Sequence, residues 1–266
     1  MDNRCIGVFD SGLGGLTAVK EMMDILPHES LIYFGDTGRV PYGTRSGETI
    51  IKYSKQDINF LNSHDVKLIV VACGTVSSVA LPEILKTSET PIIGVVESAA
   101  EAAVNATKNG RIGIIGTSGT IKSGAYAEWI KKENPEIETF SKACPLFVPL
   151  VENGHFDTEV ARLVIEEYLA EIKENGVDTL ILGCTHYPLL ERAIGEFMGE
   201  NVTLINSGAE IAKALQYKFP ELLKKEGNAE YRYFVSDNIE NFEHLASTFL
   251  RCDVNGQVKK IDIDRY

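Results

Sequence analysis

Short apolar runs recur along the chain and alternate with longer stretches whose apolar residues return every three or four positions. The runs cover residues 5–9, 31–34, 68–72, 92–95, 112–115, 179–182, 202–205 and 231–235, and are rich in Val, Ile and Leu. Runs this short and continuous are expected of strands buried on both faces of a parallel sheet. Between them, residues 16–26 (closed by Pro27), 50–61 and 158–173 carry helical periodicity, with Asp157 the expected N-cap of the last and Gly176 its expected stop. Strand, helix, strand, helix predicts an α/β protein with doubly wound, mainly parallel sheets.

The pattern also repeats. Ile6-Gly7-Val8-Phe9-Asp10-Ser11-Gly12 reads like Ile112-Gly113-Ile114-Ile115-Gly116-Thr117-Ser118, and in each half a strand ending in cysteine follows a few βα units later. Duplication of one doubly wound unit accounts for both matches in the same order, although buried strands that end in Gly and Ser also resemble one another by chance. The expected organisation is two pseudo-symmetric domains, residues 1–96 plus 207–266 and residues 97–206, with the active site in the cleft between them. Cys73 ends the run Val70-Val71-Ala72, and Cys184 ends Leu180-Ile181-Leu182-Gly183. Carboxyl ends of parallel strands are where α/β proteins keep their chemistry. Two thiols on equivalent strand ends are therefore expected to face each other across one cleft, on either side of a single carbon atom.

Charge narrows the partners. Lys and Arg number 26 against 38 Asp and Glu, a net charge of −12 at pH 7, which repels nucleic-acid phosphates and anionic lipid. Neither nucleic acid nor membrane is an expected partner, and the apolar runs fall far below the roughly 20 residues of a membrane-spanning helix. No signal peptide is visible. The five cysteines are odd in number and widely spaced, as expected of reduced thiols in a cytoplasm. A small anionic substrate would need local donors, and self-association into a homodimer is left open.

Two glycine-rich loops could supply such donors. Asp10-Ser11-Gly12-Leu13-Gly14-Gly15 and Gly116-Thr117-Ser118-Gly119-Thr120 each follow a strand and open a helix, where backbone N–H groups can approach a carboxylate or phosphate. Neither has the lysine of a P-loop, and tight-turn geometry explains them equally well. Cys5, Cys144 and Cys252 read as inert core thiols. Cys73 and Cys184 differ, because Thr75 and Thr185-His186 follow them and polar neighbours at a strand end can activate a thiol. His186 could act as proton relay or charge partner, and Glu152 could orient His186 or cap a turn. The remaining histidines lack ligand spacing, so no metal site is assigned.

Taken together, Phe9 to Thr17, Gly35-Asp36 with Pro41-Tyr42-Gly43, Ala72-Cys73-x-Thr75, Gly116-Thr117-x-Gly119-Thr120, Pro145 to Glu152 and Gly183-Cys184-Thr185-His186-Tyr187-Pro188-Leu189 resemble the motif set of the bacterial glutamate racemases, within the aspartate/glutamate racemase superfamily. The resemblance spans nearly the whole chain in order. It implies a cofactor-independent isomerase that interconverts L- and D-glutamate and supplies D-glutamate for peptidoglycan. It further implies that Cys73 and Cys184 are the acid/base pair, with Asp10 assisting the first and Glu152 and His186 the second. Asp10, Ser11, Tyr42, Gly43, Gly74, Thr75, Thr117, Thr120, Thr185 and His186 become the implied substrate contacts.

One residue departs from the family pattern: Gly74 stands where Asn usually follows the first cysteine. Without the carboxamide the substrate would lose up to two hydrogen bonds, so Gly74→Asn is expected to improve binding. An aspartate or broader acidic amino-acid racemase, and a non-catalytic acidic amino-acid sensor, are the rival readings. Retention of both thiols separates catalysis from sensing. Thiol–disulfide exchange is disfavoured by the absence of C-x-x-C.

Overall fold

The computed structural model describes residues 2–250, 252, 254 and 256–266. Among the described residues ten strands form two parallel sheets: β1 (Ile6–Asp10), β2 (Leu31–Gly35), β3 (Leu68–Val71), β4 (Ile92–Gly94), β9 (Tyr231–Val235) and β10 (Val258–Lys260) make one, and β5 (Arg111–Gly116), β6 (Glu138–Ala143), β7 (Thr179–Leu182) and β8 (Thr203–Asn206) the other. The central strands are fully buried, which is why they carry no polar alternation.

The strand orders carry the internal repeat. The first sheet runs β10-β9-β2-β1-β3-β4 and the second β6-β5-β7-β8, so β2-β1-β3-β4 has the same connectivity as β6-β5-β7-β8. Gly7 and Gly113 occupy matching places on the central strands. A Cβ at Gly7 would meet Leu61 at 3.1 Å, and one at Gly113 would meet Ile172 at 2.9 Å, so side chains of covering helices press against the sheet at both positions. β3 and β7 are likewise equivalent, and Cys73 and Cys184 follow them.

The chain passes from β4 straight into helix Val95–Ala106, and from β8 straight into helix Ser207–Lys218. The latter lies against helix Leu16–Ile25 so closely that a Cβ at Gly208 would stand 3.0 Å from the Ala18 Cα. Helix Glu159–Glu174 is capped by Thr158, whose side chain accepts from the Ala161 N–H. Asp157, the expected cap, instead pairs with Arg192 and Arg162. Gly176 adopts φ +65° just beyond the helix, the left-handed stop the sequence suggests. β6 and β10 have no counterpart among the apolar runs, because both are edge strands with exposed polar residues.

At the amino ends of β2 and β3, opposite the cysteines, Lys67 and Glu29 form a buried ion pair 2.8 Å long. Lys67 also donates to the carbonyls of Asp2 and Leu222. Removing one partner strands the other charge in the interior, so Lys67→Met is expected to destabilise the fold by about 3–5 kcal/mol, whereas Lys67→Met with Glu29→Leu recovers most of that loss. Chemical denaturation of the two variants checks both statements.

Candidate active site

The carboxyl ends of β1 and β3 from one sheet, and of β5 and β7 from the other, surround a single cavity of about 260 Å³. It is small beside the 300–1,000 Å³ of drug-sized sites and suits a small metabolite. Ser11, Tyr42, Gly43, Cys73, Gly74, Thr75, Glu152, Thr117, Cys184, Thr185 and His186 all line it. Asp10 and Thr120, also expected at the substrate, are not in the lining. Among the described residues no Lys or Arg lines the cavity, so it offers an anion hydroxyls, backbone N–H groups and the His186 ring.

Cys73 caps helix Gly74–Val79 and is 4 % exposed. Its Sγ lies 3.5 Å from Ser11 Oγ. Burial and the neighbouring Asp10 push this thiol up to about 12, against the pull of Ser11 and the Val76 N–H. Asp10 is itself buried, and burial raises its pKa while His186, the Gly12 and Gly15 N–H groups and Thr185 oppose the rise. Its carboxylate accepts from the Gly12 N–H at 3.0 Å and the Thr185 hydroxyl at 3.3 Å. Asp10 therefore stands behind the cavity wall and ties the end of β1 to the loop after β7.

Around Cys184 the electrostatics are reversed. His186 Nδ1 lies 3.9 Å from Cys184 Sγ, and Nε2 lies 2.9 Å from Glu152 Oε1. Burial works against protonation of this imidazole, but contact with Cys184 and Glu152 outweighs it and lifts His186 to about 10. The ring also meets Phe249 edge-on at 5.8 Å. One cysteine thus has a carboxylate behind it, and the other a cation beside it.

Thr75, Thr117 and Thr120 form a hydroxyl cluster across the cleft. Thr75 Oγ1 is 2.9 Å from Thr117 Oγ1, and Thr117 Oγ1 is 3.1 Å from Thr120 Oγ1. Thr120 orients the two lining hydroxyls from behind. The Tyr42 hydroxyl is held by Asp36 and Asp57 and is not a free donor to the cavity.

Cys144 packs in the core as its sequence suggests, and it has a second place that the sequence does not indicate. It is buried, yet it lines the cavity with Pro145, Val148 and Pro149, and burial pushes its thiol up to about 12. Its place just after β6 was the available signal, hidden because β6 lacks an apolar run. Cys252, also read as a core thiol, is exposed.

Gly74 overturns a second expectation. A Cβ there would stand 2.2 Å from the Gly183 carbonyl oxygen, a contact that backbone cannot yield without movement. Gly74 is not among the glycines of positive φ, so space and not dihedral angle excludes the side chain. The two cysteine loops touch backbone to backbone at this point.

Paired thiols from equivalent strand ends of two parallel sheets, converging on one small cavity, define a two-sheet α/β protein with a cleft lined by two cysteines. The chain belongs to the Asp/Glu/Hydantoin racemase family, whose model matches residues 17–215. It is 51 % identical over 252 residues to the glutamate racemase of Geobacter metallireducens, covering 93 % of each chain. Among solved structures it is similar to a glutamate racemase isoform from Bacillus anthracis (38 % identity, TM-score 0.93, 98 % of each chain). It also matches the glutamate racemase of Francisella tularensis in complex with D-glutamate (39 % identity, TM-score 0.91, 100 % of each chain).

Gly74→Asn should separate the cysteine loops and lower kcat/KM for the cleft's reaction; a displacement near 1 Å can cost roughly 10²-fold. Steady-state kinetics decide this, and an unchanged or improved kcat/KM would contradict the steric account. His186 should remain doubly protonated at neutral pH and release its proton toward about 10, as followed by nitrogen NMR of the ring. Its folded value exceeds the ordinary imidazole value of 6.5. The stability it contributes is therefore fully present below about pH 6.5 and is lost as pH rises through about 10. Glu152→Gln should lower the transition.

Proposed function

We propose that this chain is a cofactor-independent glutamate racemase that supplies D-glutamate for peptidoglycan in the cytoplasm. The observation that carries the proposal is the pair Cys73 and Cys184, delivered by equivalent strands to one cavity with opposite electrostatic surroundings. The activity named for the Geobacter, Bacillus and Francisella relatives supports it. Residues 1–96 with 207–266, and 97–206, are read as the two units that close on the substrate.

Racemisation removes the Cα proton from one face and returns a proton to the other, so a base and an acid must flank the carbon and exchange roles with direction. In this reading the glutamate Cα lies between the two sulfurs. Cys73, its proton held by burial and by Asp10, begins as the thiol. Cys184, with the His186 cation 3.9 Å away, is placed to begin as the thiolate. The thiolate takes the Cα proton while the opposite thiol gives its own. His186 and Glu152 manage the charge on one side and Asp10 on the other.

The α-proton is weakly acidic, so the developing carbanion needs donors aimed at the α-carboxylate in a site closed to water. Ser11, Thr75, Thr117 and Thr185 hydroxyls line the cavity, with N–H groups of Gly43 and Gly74 in the same walls. Both thiols are less than 10 % exposed. Neutral donors aimed at the carboxylate tighten their hold as charge accumulates on it, which is binding realised in the transition state.

Purified protein incubated with L-glutamate and no added cofactor should yield both enantiomers by chiral chromatography, with L-aspartate turned over more slowly. Binding of glutamate without turnover would favour a sensor. Cys73→Ala and Cys184→Ala should each abolish racemisation, while retaining elimination from opposite enantiomers of a chloro-substituted analogue. Asp10→Asn should lower kcat by roughly 10²–10⁴-fold, the scale of one acid–base contribution. Full racemisation by either alanine variant would remove the two-thiol mechanism.

A further inference from the structure

Behind the wall that carries Tyr42 and Gly43 lies a polar cluster outside the chemistry described above. Asp36, just after β2, and Asp57, in helix Gly47–Asn62, are both fully buried. Between them sit the Arg39 guanidinium and the Tyr42 hydroxyl. Arg39 donates from Nε to Asp36 Oδ2 at 2.6 Å, from Nη2 to Asp57 Oδ1 at 3.0 Å and from Nη1 to Gln56 Oε1 at 2.6 Å. Its guanidinium stacks 4.1 Å above the Tyr53 ring, which in turn packs on Tyr42.

The proton count is informative. Tyr42 Oη is within hydrogen-bond reach of Asp36 Oδ2 and of Asp57 Oδ2, the latter at 3.1 Å, but a phenol has one proton to donate. One of the two contacts therefore needs a proton from the carboxyl side. Asp36 Oδ2 already accepts from Arg39, so it is the acceptor of the phenol proton as well. Asp57 is left to donate, Oδ2–H to Tyr42 Oη, while its Oδ1 still accepts from Arg39.

Resting on the racemase reading, we infer that Asp57 is a neutral carboxylic acid closing a ring of hydrogen bonds, Asp57 to Tyr42 to Asp36 to Arg39 and back, and that this ring is the positioning device for the substrate-facing segment 41–44. Arg39 donates to both carboxyl groups, and Asp36 accepts from Arg39 directly and from Tyr42 at the end of the Arg39–Asp57–Tyr42 arm, so both arms run from the guanidinium to the one carboxylate that balances it. Burial and the Asp36 charge raise the Asp57 pKa well above the usual carboxylate range, with Arg39 and Tyr42 opposing.

The ring reaches the cavity through Tyr42 itself and through two backbone hydrogen bonds. Tyr42 is itself part of the lining, between Pro41 and Gly43. The Gly43 carbonyl accepts the Gly119 N–H across the cleft at 3.0 Å, and the Asp36 N–H donates to the Asp10 carbonyl at 3.1 Å. Loosening the ring should therefore blur the placement of backbone donors around the substrate while leaving the thiols in place. Arg39, Tyr42 and Asp57 act through the segment they hold and not by contact with the reacting atoms.

The charged and titratable groups that face Asp57 are Asp36 from the end of β2, and Arg39 and Tyr42 from the loop that follows. Raising pH until Asp57 ionises would set a second negative charge against Asp36 with only Arg39 to compensate. The ring should then open and KM rise.

The test combines a direct readout with kinetics. Infrared difference spectra between the natural protein and Asp57→Asn should show a protonated-carboxyl stretch in the natural protein at neutral pH, whether or not glutamate is turned over. Loss of a buried hydrogen bond to charged partners is worth at least about tenfold, so Tyr42→Phe should raise KM for L-glutamate by that factor or more, with kcat changed by less than about threefold. Asp57→Asn replaces an O–H donor by an N–H donor. It should therefore stay within about threefold of the natural protein at neutral pH and lose the alkaline rise in KM. Absence of the carboxyl band, or a Tyr42→Phe defect confined to kcat, would overturn the inference. So would an Asp57→Asn defect as large as that of Tyr42→Phe. If the protein does not act on glutamate while the band is present, the racemase reading fails and the assignment of Asp57 stands.

Discussion

Gly74 and Gly183 bring the loops after β3 and β7 together with no side chain between them, and everything at the cleft depends on that approach. A Cβ on Gly74 would overlap the Gly183 carbonyl at 2.2 Å, and one on Gly14 would overlap Thr185 at 2.2 Å and His186 at 2.5 Å. These are contacts between polypeptide segments that carry the chemistry, so their closeness sets how near two cysteines from different sheets can stand. A duplicated unit supplies matching strands, but only backbone-to-backbone packing turns two strand ends into one cavity of about 260 Å³.

Within that cavity the duplication is broken electrostatically. β1 ends in Asp10, whereas the matching last residue of β5 is Gly116. The second unit provides Glu152 and His186 instead. A carboxylate stands behind Cys73 and an imidazolium beside Cys184, so the two sulfurs have unlike surroundings although the backbone around them repeats. A two-base racemisation needs a base on one face of the carbon and an acid on the other, which is the part proposed here for the two cysteines.

Much of this was legible in the chain because buried parallel strands are written as unbroken apolar runs, and because cysteine, threonine and histidine after such a run are conspicuous. The central strands, both paired thiols and the Glu152–His186 contact were accessible in that way. β6 was not, since every one of its residues is at least partly exposed, and with it went the position of Cys144. The Gly74 contact was invisible for a different reason: its partner lies more than a hundred residues away, and sequence spacing says nothing about a carbonyl approaching from another sheet. The ring of Asp36, Arg39, Tyr42 and Asp57 joins a loop to a helix face. From sequence its acids and arginine look like ordinary solvated charges.

The central claim is that protons leave and return on opposite faces through two different sulfurs. It is tested most directly by following L-glutamate in deuterated water by proton NMR and chiral separation during the first few per cent of conversion. Two thiols predict D-glutamate carrying deuterium at Cα while the unreacted L-glutamate keeps its protium. Deuterium appearing equally in both enantiomers from the start, or D-glutamate that retains the original proton, would point to a single base and contradict the account.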